Sequence, residues 1–364
     1  MPANCSTKMP DPVRPDVSAR DRVLGCFLGG AIGDALGAPI EFQSLAEIHH
    51  QFGPAGLTSY APAYGKLGAI TDDTQMTLFT AEGLIRAKTR MADRGICNVP
   101  CIVHRAYCRW LVTQGGPDIE DPDLGPATSG WLITNQELHA RRAPGTTCLS
   151  ALETRKQGSP SDPLNQSKGC GAVMRMAPVG LAGDGIDAFE MGIELAALTH
   201  GHPTGYIAAG ALAEIIHRLT RGSSLLNAIH DTRTRLADTA HGEETLAAID
   251  RAVALPGEGM PGPERVESLG SGWVAEEALA IGLYCALVAA DVRDGLLLAV
   301  NHSGDSDSTG SIAGNLLGTI HGIQSLPQDL LIDLESQDLI TRVADDFADV
   351  FIDDKQAPER YPTY

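Results

Sequence analysis

The chain has 364 residues, of which 43% are hydrophobic and 20% charged, and its formal net charge is −19. This composition is typical of a folded globular protein, and the excess of acid argues against nucleic acid or an anionic membrane surface as a partner. The eight cysteines are scattered and we find no signal peptide, so we expect reduced thiols and a cytoplasmic location.

The N-terminal segment is rich in proline and polar side chains and shows no apolar period. It predicts a flexible arm over residues 1–19, either an ordinary disordered terminus or a segment that docks on a partner. We expect a folded domain over 20–355 and a short tail over 356–364. The apolar run 23–40 contains Asp34 and is shorter than the ~20 residues of a membrane-spanning helix, so it predicts a core helix.

Apolar residues recur at helical spacing from residue 20 onward, and sustained alternation of apolar and polar residues is almost absent. The sequence therefore predicts an all-α fold with glycine- and proline-rich loops over 115–130, 141–171 and 256–272. The predicted helices span residues 21–36, 72–91, 99–114, 186–199, 204–220, 224–239, 243–255, 274–288, 308–323 and 339–351.

Two of these helices have a glycine at every fourth position, which places the glycines along one face. Each such glycine costs up to ~1 kcal/mol relative to alanine, so the missing side chains must serve a purpose. We infer a bare ridge on each helix against which another helix backbone packs closely. Both ridges lie beside acidic residues, so we expect these helices to be central in the bundle and near a shared site. The glycines are Gly25, Gly29, Gly33 and Gly37 in the first helix and Gly310, Gly314, Gly318 and Gly322 in the second.

Two short acidic clusters precede apolar helical runs and carry the strongest chemical signal. They are Thr71-Asp72-Asp73-Thr74 and Asp305-Ser306-Asp307-Ser308. Acids in a first helical turn interact favourably with the helix dipole, so capping explains either cluster in isolation. The combination favours a metal site, because carboxylate and hydroxyl oxygens are the ligands that Mg²⁺ and Mn²⁺ prefer. Adjacent acids diverge by about 100° on a helix, which suits two metal ions ~3.5–4 Å apart.

Two further segments supply catalytic or binding groups. Pro39 predicts the end of the first helix and leaves Glu41 on a loop, where a glutamate is more often solvated than catalytic. Glycines in the segment 165–175 expose backbone N–H groups that can cradle a phosphate, with Lys168 and Arg175 adding positive charge.

Histidines and cysteines give a weaker signal. His200 and His202 lack a cysteine or acid at zinc spacing, so helix capping and hydrogen bonding are their favoured roles. Another set of potential zinc ligands follows one stripe of a predicted helix: Cys97, Cys101, His104 and Cys108. A straight helix spreads this set over about 16 Å, too far for one tetrahedral ion, so we expect a buried helix face.

Together these motifs resemble those of the ADP-ribosylglycohydrolases, a family that includes the dinitrogenase-reductase-activating enzymes and the mammalian ADP-ribosyl-acceptor hydrolases. The resemblance extends over nearly the whole chain, and five ordered motifs at compatible spacing are far more specific than any one alone. The matching segments are 25–37, 70–76, 168–175, 200–205 and 303–310.

The resemblance implies a single compact orthogonal multi-helix bundle that holds two Mg²⁺ or Mn²⁺ ions. It implies a hydrolase that removes ADP-ribose from a modified protein by attack of water at ribose C1″, with arginine-linked ADP-ribose as the first expectation. A carboxylate takes the proton of that water, and the sequence leaves open which one. The implied metal ligands are Thr71, Asp72, Asp73, Asp305, Asp307 and Ser308. The implied catalytic residues are Glu41, Asp73 and Asp307. The implied substrate-binding residues are Asp34, Lys168, Gly169, Cys170, Gly171, Met174, Arg175 and His200.

Two other functions stay open at this point. The chain could be an immunity protein that neutralises a cognate ADP-ribosyltransferase toxin by occlusion through the N-terminal arm, with or without hydrolase activity. It could also be an all-α metal phosphohydrolase that uses His230 and Asp231, although no partner histidine stands at a matching spacing.

Overall fold

Helices make up almost all the regular secondary structure of this chain. The structure, a computed structural model, describes residues 17–118, 120–121, 125–126, 129–183 and 185–362. Within these ranges there are sixteen α-helices and five short 3₁₀ helices, and the only strands are two segments of two residues each. The predicted all-α class is therefore confirmed.

The bounds of the elements are as follows. The α-helices are α1 (Ala19–Gly37), α2 (Leu45–Phe52), α3 (Asp72–Arg94), α4 (Val99–Thr113), α5 (Thr146–Glu153), α6 (Ala177–Leu181), α7 (Ala188–Ala197), α8 (Pro203–Thr220), α9 (Leu225–Ala237), α10 (Glu243–Ala254), α11 (Pro263–Glu267), α12 (Ala275–Val288), α13 (Val292–Val300), α14 (Ser306–His321), α15 (Gln328–Ile332) and α16 (Gln337–Phe351). The 3₁₀ helices are Leu132–Thr134, Gln136–Leu138, Cys170–Ala172, Leu255–Glu258 and Ile323–Ser325. The strands β1 (Glu120–Asp121) and β2 (Gly125–Pro126) pair antiparallel.

Every predicted helix coincides with an observed one, with ends that differ by a few residues. The helices that the sequence does not predict are all short: α2, α5, α6, α11, α13 and α15. The predicted loops 141–171 and 256–272 are wrong where they contain α5 and α11, because so few turns give no periodic signal. A readable signal does precede α2, where Ser44 and Glu47 form a capping box.

The glycine ridges of α1 and α14 pack directly against each other, antiparallel. A Cβ placed on Gly29 would lie only 2.5 Å from the carbonyl oxygen of Gly314, and Gly25 faces Gly318 and Gly33 faces Gly310 in the same way. Gly37 packs on the backbone of Ser306 and Asp307, whereas Gly322 follows α14 and faces the side chain of Val17. Even a methyl group is therefore excluded, which explains why the sequence tolerates the helix-propensity cost of these glycines. Most of α1 and α14 is buried, so the prediction of two central helices is confirmed.

Both ends of the described chain contact α16. Ser18 caps α1, and Arg20 pairs with Asp349 at 2.7 Å. Tyr361, in the predicted tail, is buried and donates its hydroxyl to Asp346 at 2.8 Å. Residues 1–16 of the predicted arm lie outside the described residues. No helix in the described ranges is long and apolar enough to cross a membrane.

Candidate metal and active site

The N-termini of α3 and α14 bring the two acidic clusters to one place. Thr71 is the N-cap of α3, and Asp305 is the N-cap of α14. The C-terminal end of α1 lies against the second cluster, where Gly37 packs on the backbone of Ser306 and Asp307. Because α3 and α14 both begin here, the positive ends of their dipoles face the carboxylates.

Asp34, on the last turn of α1, fixes the start of α3. Its buried carboxylate accepts hydrogen bonds from the N–H groups and the hydroxyls of Thr71 and Thr74. The Thr71 hydroxyl donates at 2.8 Å and the Thr74 N–H at 3.1 Å. Burial, followed by the charge of Asp307, raises the pKa of Asp34 to about 7. Asp34, which the resemblance implies as a substrate ligand, thus uses both carboxylate oxygens to hold the start of α3.

Glu41, Asp305 and Asp307 form a compact carboxylate group. In the described part of the chain, no other set of three or more His, Cys, Asp or Glu residues has ligand atoms that all lie within 4.8 Å of one another. Oε2 of Glu41 is buried and has no hydrogen-bond partner. Burial, followed by the charges of Asp307, Asp305 and Asp72, raises the pKa of Glu41 to about 11. The loop position predicted for Glu41 therefore places it among the acids.

Asp72 and Asp73 approach the same group from α3. Burial, followed by the charge of Asp307, raises the pKa of both carboxyls well above the usual range. Oδ1 of Asp73 is buried without a hydrogen-bond partner, whereas Asp72 accepts a hydrogen bond from the Gly145 N–H at 3.2 Å. The predicted convergence of the two acidic clusters is confirmed, and such crowded carboxylates are costly as anions unless a cation lies between them.

Hydroxyl groups complete the predicted ligand set. The Thr71 hydroxyl accepts a hydrogen bond from the Asp73 N–H at 3.3 Å, so it stands between Asp34 and the acids. Ser308 is buried, with its hydroxyl 3.9 Å from the sulfur of Met174. Buried carboxylate and hydroxyl oxygens, some of them without partners, are a donor set that fits hard divalent cations.

Several amides of the glycine-rich loop already donate hydrogen bonds within the protein. Gly169 donates its N–H to the Ser167 hydroxyl at 3.3 Å, and Cys170 donates to the Trp273 carbonyl at 3.1 Å. Cys170 also donates its thiol to Asp305 at 2.6 Å. The loop thus contacts the predicted metal ligand Asp305 through Cys170. That the loop, including Gly171, binds a substrate phosphate stays a prediction.

The two cationic side chains expected to add positive charge in this loop are engaged by other groups of the protein. Lys168 forms ion pairs with Glu244 at 2.6 Å and with Glu276. The buried Arg175 donates to the Thr199 hydroxyl at 2.6 Å. His200 is also buried, and burial followed by the charge of Arg175 lowers its pKa to about 3.

Three exposed aromatic residues border the acids, and the sequence interpretation missed them. Phe42 stacks on Trp273 with ring centroids 5.2 Å apart, and Tyr64 lies over the Arg142 guanidinium at 5.6 Å. Burial, followed by the charges of Glu41 and Asp307, raises the pKa of Tyr64. Only 5% of the residues are aromatic, so aromatic side chains in loops were the sequence feature that could have indicated a role at the site.

The remaining sequence candidates lie elsewhere. Cys97, Cys101 and His104 are only half-buried, so the predicted buried helix face is wrong except at Cys108. A surface cavity of about 430 Å³ lies between α3 and α7, and none of the predicted metal ligands lines it. Chemistry rather than cavity size therefore identifies the site.

The dyad of the phosphohydrolase alternative does not form a catalytic pair. His230 is exposed on α9, and Asp231 pairs with Arg218 on α8 at 2.6 Å.

Comparison with known proteins agrees with this geometry. A family model described as ADP-ribosylglycohydrolase matches residues 15–357. The chain is 27% identical over 323 residues to ADP-ribosyl-[dinitrogen reductase] glycohydrolase of Rhodospirillum rubrum, covering 87% of this chain and 92% of that protein. It is 23% identical over 333 residues to ADP-ribosylarginine hydrolase Tri1 of Serratia proteamaculans, covering 91% and 80%. A solved structure titled ADP-ribosylglycohydrolase-related protein complex matches with a TM-score of 0.65 and 26% identity over 90% of this chain and 96% of that one.

Proposed function

Because the chain belongs to the ADP-ribosylglycohydrolase family, we propose that it is a metal-dependent hydrolase that removes ADP-ribose from modified protein side chains. One observation carries this proposal: Glu41, Asp305 and Asp307 meet within 4.8 Å beside the acids of α3. Buried oxygens of Glu41 and Asp73 have no hydrogen-bond partner there. Such a site is built for a cation and a polar substrate.

Two Mg²⁺ ions, or Mn²⁺ in their place, are the proposed cofactors. When bound, divalent ions supply positive charge that polarises ribose hydroxyls and water. Hard oxygen ligands favour these ions over zinc. The residues that would hold them are Thr71, Asp72, Asp73, Asp305, Asp307 and Ser308.

Glu41 is the proposed general base. Bound cations would favour its ionised form, and its buried Oε2, which has no hydrogen-bond partner, can then accept a proton from water. As the water oxygen bonds to C1″, its proton passes to Glu41, and the bond from C1″ to the acceptor breaks with its electron pair on the acceptor atom. Glu41 then returns the proton to the leaving acceptor. Asp73 and Asp307, the other two predicted catalytic residues, place negative charge beside the cationic ribose of the transition state.

Arginine is the proposed acceptor residue. The relative from Serratia proteamaculans is named an ADP-ribosylarginine hydrolase. An acidic site also attracts a cationic guanidinium more strongly than it attracts a neutral hydroxyl. Arginine-linked ADP-ribose is therefore favoured over serine-linked ADP-ribose.

The test is release of ADP-ribose from arginine- and serine-linked ADP-ribosylated proteins with Mg²⁺, Mn²⁺ or EDTA present. We expect metal-dependent release from the arginine-linked protein, loss of release in Asp305→Asn, and full release in the control Asp93→Asn. Asp93 is an exposed acid at the end of α3, so the control makes the same chemical change away from the site. No release from either substrate by protein that binds Mn²⁺ would overturn the proposal.

The same assay separates hydrolysis from occlusion of a cognate ADP-ribosyltransferase toxin. Deletion of residues 1–16 leaves Ser18 in place to cap α1. We expect the truncated protein to keep its hydrolase activity and any protection against the toxin. Protection that disappears with the deletion but survives Asp305→Asn would favour occlusion instead.

A further inference from the structure

Two exposed aromatic rings stack on each other beside the acidic site. Phe42 directly follows Glu41 and is 68% exposed, while Trp273 is 40% exposed. The two rings are nearly parallel, with an interplanar angle of 19° and centroids 5.2 Å apart. Offset stacking of this kind is favourable, and here it joins two loops that are distant in sequence.

Phe42 adopts a backbone conformation that phenylalanine rarely takes. Its φ angle is +69°, in the left-handed region, where glycine or asparagine fits with less strain. The residue lies on the short turn between α1 and α2, one position after the Glu41 N–H that donates to the Gly37 carbonyl at 2.9 Å. Strain of this kind persists only where the surroundings hold it in place.

The same turn carries a carboxylate into a group of like charges. One oxygen of Glu41 lies within 4.8 Å of oxygens of Asp305 and Asp307, and its Oε2 has no hydrogen-bond partner. For Glu41 to accept a proton there, the turn has to keep this position beside α14. A contact made by a neighbouring residue can hold it there.

Trp273 is firmly attached to the opposite side of the site. Its carbonyl accepts the Cys170 N–H at 3.1 Å, and the carbonyl of Ser271, two residues earlier, accepts the Asp305 N–H at 2.9 Å. The backbone that carries the indole is thus fixed relative to a predicted metal ligand. A ring that stacks on the indole fixes the Glu41 turn relative to the same ligand.

We propose that Phe42 and Trp273 form an aromatic clamp that holds Glu41 against Asp305 and Asp307. Both are positioning residues, because they act through Glu41 rather than by contact with the reacting atoms. The inference rests on the proposed hydrolase function, in which Glu41 accepts the proton of water.

The kinetic test compares Phe42→Ala with the conservative variants Phe42→Tyr and Trp273→Phe. Misplacement of a reacting group by about 1 Å costs on the order of 100-fold in rate, so we expect kcat for release of arginine-linked ADP-ribose to fall by about 10- to 100-fold in Phe42→Ala. We expect KM to change little and the two conservative variants to retain kcat. Phe42→Gly, which removes the ring and also the backbone strain, should be as slow as Phe42→Ala.

A double variant distinguishes a clamp from a substrate-binding surface. If the rings act through Glu41, Phe42→Ala should cause no further loss of kcat in the Glu41→Gln background. If they bind substrate, Phe42→Ala should raise KM and its effect should persist in that background. The second result would overturn the proposal.

Hydrogen exchange of the backbone amides over residues 38–44 tests the clamp without any enzyme activity. We expect faster exchange in Phe42→Ala and in Trp273→Ala, but not in Leu226→Ala, which truncates an exposed apolar side chain on α9. Unchanged exchange in both clamp variants would overturn the proposal. A wild-type protein without hydrolase activity would refute the proposed function, while this measurement would still decide whether the rings hold the turn.

Discussion

The two helix starts that form the acidic site are built in different ways. At the start of α3, Asp34 accepts hydrogen bonds from both Thr71 and Thr74, and Asp72 accepts one from the Gly145 N–H. At the start of α14, the N-cap Asp305 makes no capping hydrogen bond with its side chain. Its carboxylate instead contacts the Cys170 thiol and lies within 4.8 Å of Glu41.

This difference separates two tasks within one site. The α3 side is held by protein hydrogen bonds before any cation binds, so it acts as a scaffold. On the α14 side, Asp305 accepts the Cys170 thiol and Asp307 accepts the Ser308 N–H at 2.9 Å, and the helix is held in place by the backbone contact between α1 and α14. Loss of a carboxylate on α14 should therefore impair cation binding, whereas loss of Asp34 should also impair folding.

Asp307→Asn should give the largest effect. Burial is the main cause of the raised pKa of Asp34, Asp72 and Asp73, and the charge of Asp307 comes next for each of them, so Asp307 lies close to all three. Loss of a proposed direct ligand should lower Mn²⁺ affinity by more than the ~10–100-fold typical of an outer partner, and release of ADP-ribose should fall with it. Without metal, the variant should melt at the same or a higher temperature, because one crowded charge is gone. Calorimetric Mn²⁺ titration and thermal unfolding measure both, and unchanged affinity would contradict the division of tasks.

Gly33→Ala tests the backbone contact between α1 and α14 that holds α14 in place. A Cβ at this position would overlap the Gly310 carbonyl group, which belongs to a helix backbone and cannot move aside cheaply. We expect the free energy of unfolding to fall by about 3 kcal/mol, as for overpacked cores. The matched control is Gly257→Ala, where a Cβ would meet nothing within 4 Å and the change should stay within about 0.5 kcal/mol. Equal urea midpoints for the two variants would show that the ridges are not in close contact.

Asp34→Asn should affect both folding and cation binding. Its effect on affinity should be smaller than that of Asp307→Asn, and its effect on stability no larger than that of Gly33→Ala. The amide group of asparagine offers one acceptor oxygen where the carboxylate offers two, so it cannot accept the N–H and hydroxyl bonds of both Thr71 and Thr74. We expect a loss of ~1–3 kcal/mol in the free energy of unfolding and a ~10–100-fold loss of Mn²⁺ affinity. Urea unfolding measures the stability, and calorimetric titration of the same sample measures the Mn²⁺ affinity. A variant that loses affinity at full stability would make Asp34 a ligand rather than a scaffold residue.

The sequence predicts those parts of the site that depend on local, periodic patterns. Glycines four residues apart predict the close contact of α1 and α14, because helix geometry alone places them on one face. The adjacent acids Asp72 and Asp73 predict a metal site because their carboxylates diverge by about 100° at one helix start and can address two ions. These features need no knowledge of which distant residue lies opposite.

The sequence does not predict partners that only the tertiary fold selects. Asp34 bonds to Thr71 across 37 positions, and Lys168 pairs with Glu244 across 76. A charged side chain in a glycine-rich loop looks available for substrate until its partner is known. Phe42 and Trp273 likewise carry no joint signal, because stacking is set by the approach of two loops rather than by spacing.

Substitution of His200 should have the smallest effect on stability. It tests whether the buried imidazole holds the glycine-rich loop that contacts Asp305. The His200 ring packs against Gly171, and burial followed by the charge of Arg175 lowers its pKa from 6.5 to about 3. A histidine whose pKa is lowered by folding takes up its proton first in the unfolded state, so stability is lost as the pH falls below 6.5. From about pH 7.5 to pH 5, this group should remove about 2 kcal/mol from the free energy of unfolding. His200→Asn should be less sensitive to pH by that amount in urea unfolding, whereas the exposed control His230→Gln should behave like the wild type. If His200→Asn and the wild type lose stability equally, the loop is held by its hydrogen bonds to Ser167 and Trp273 and not by a neutral buried imidazole.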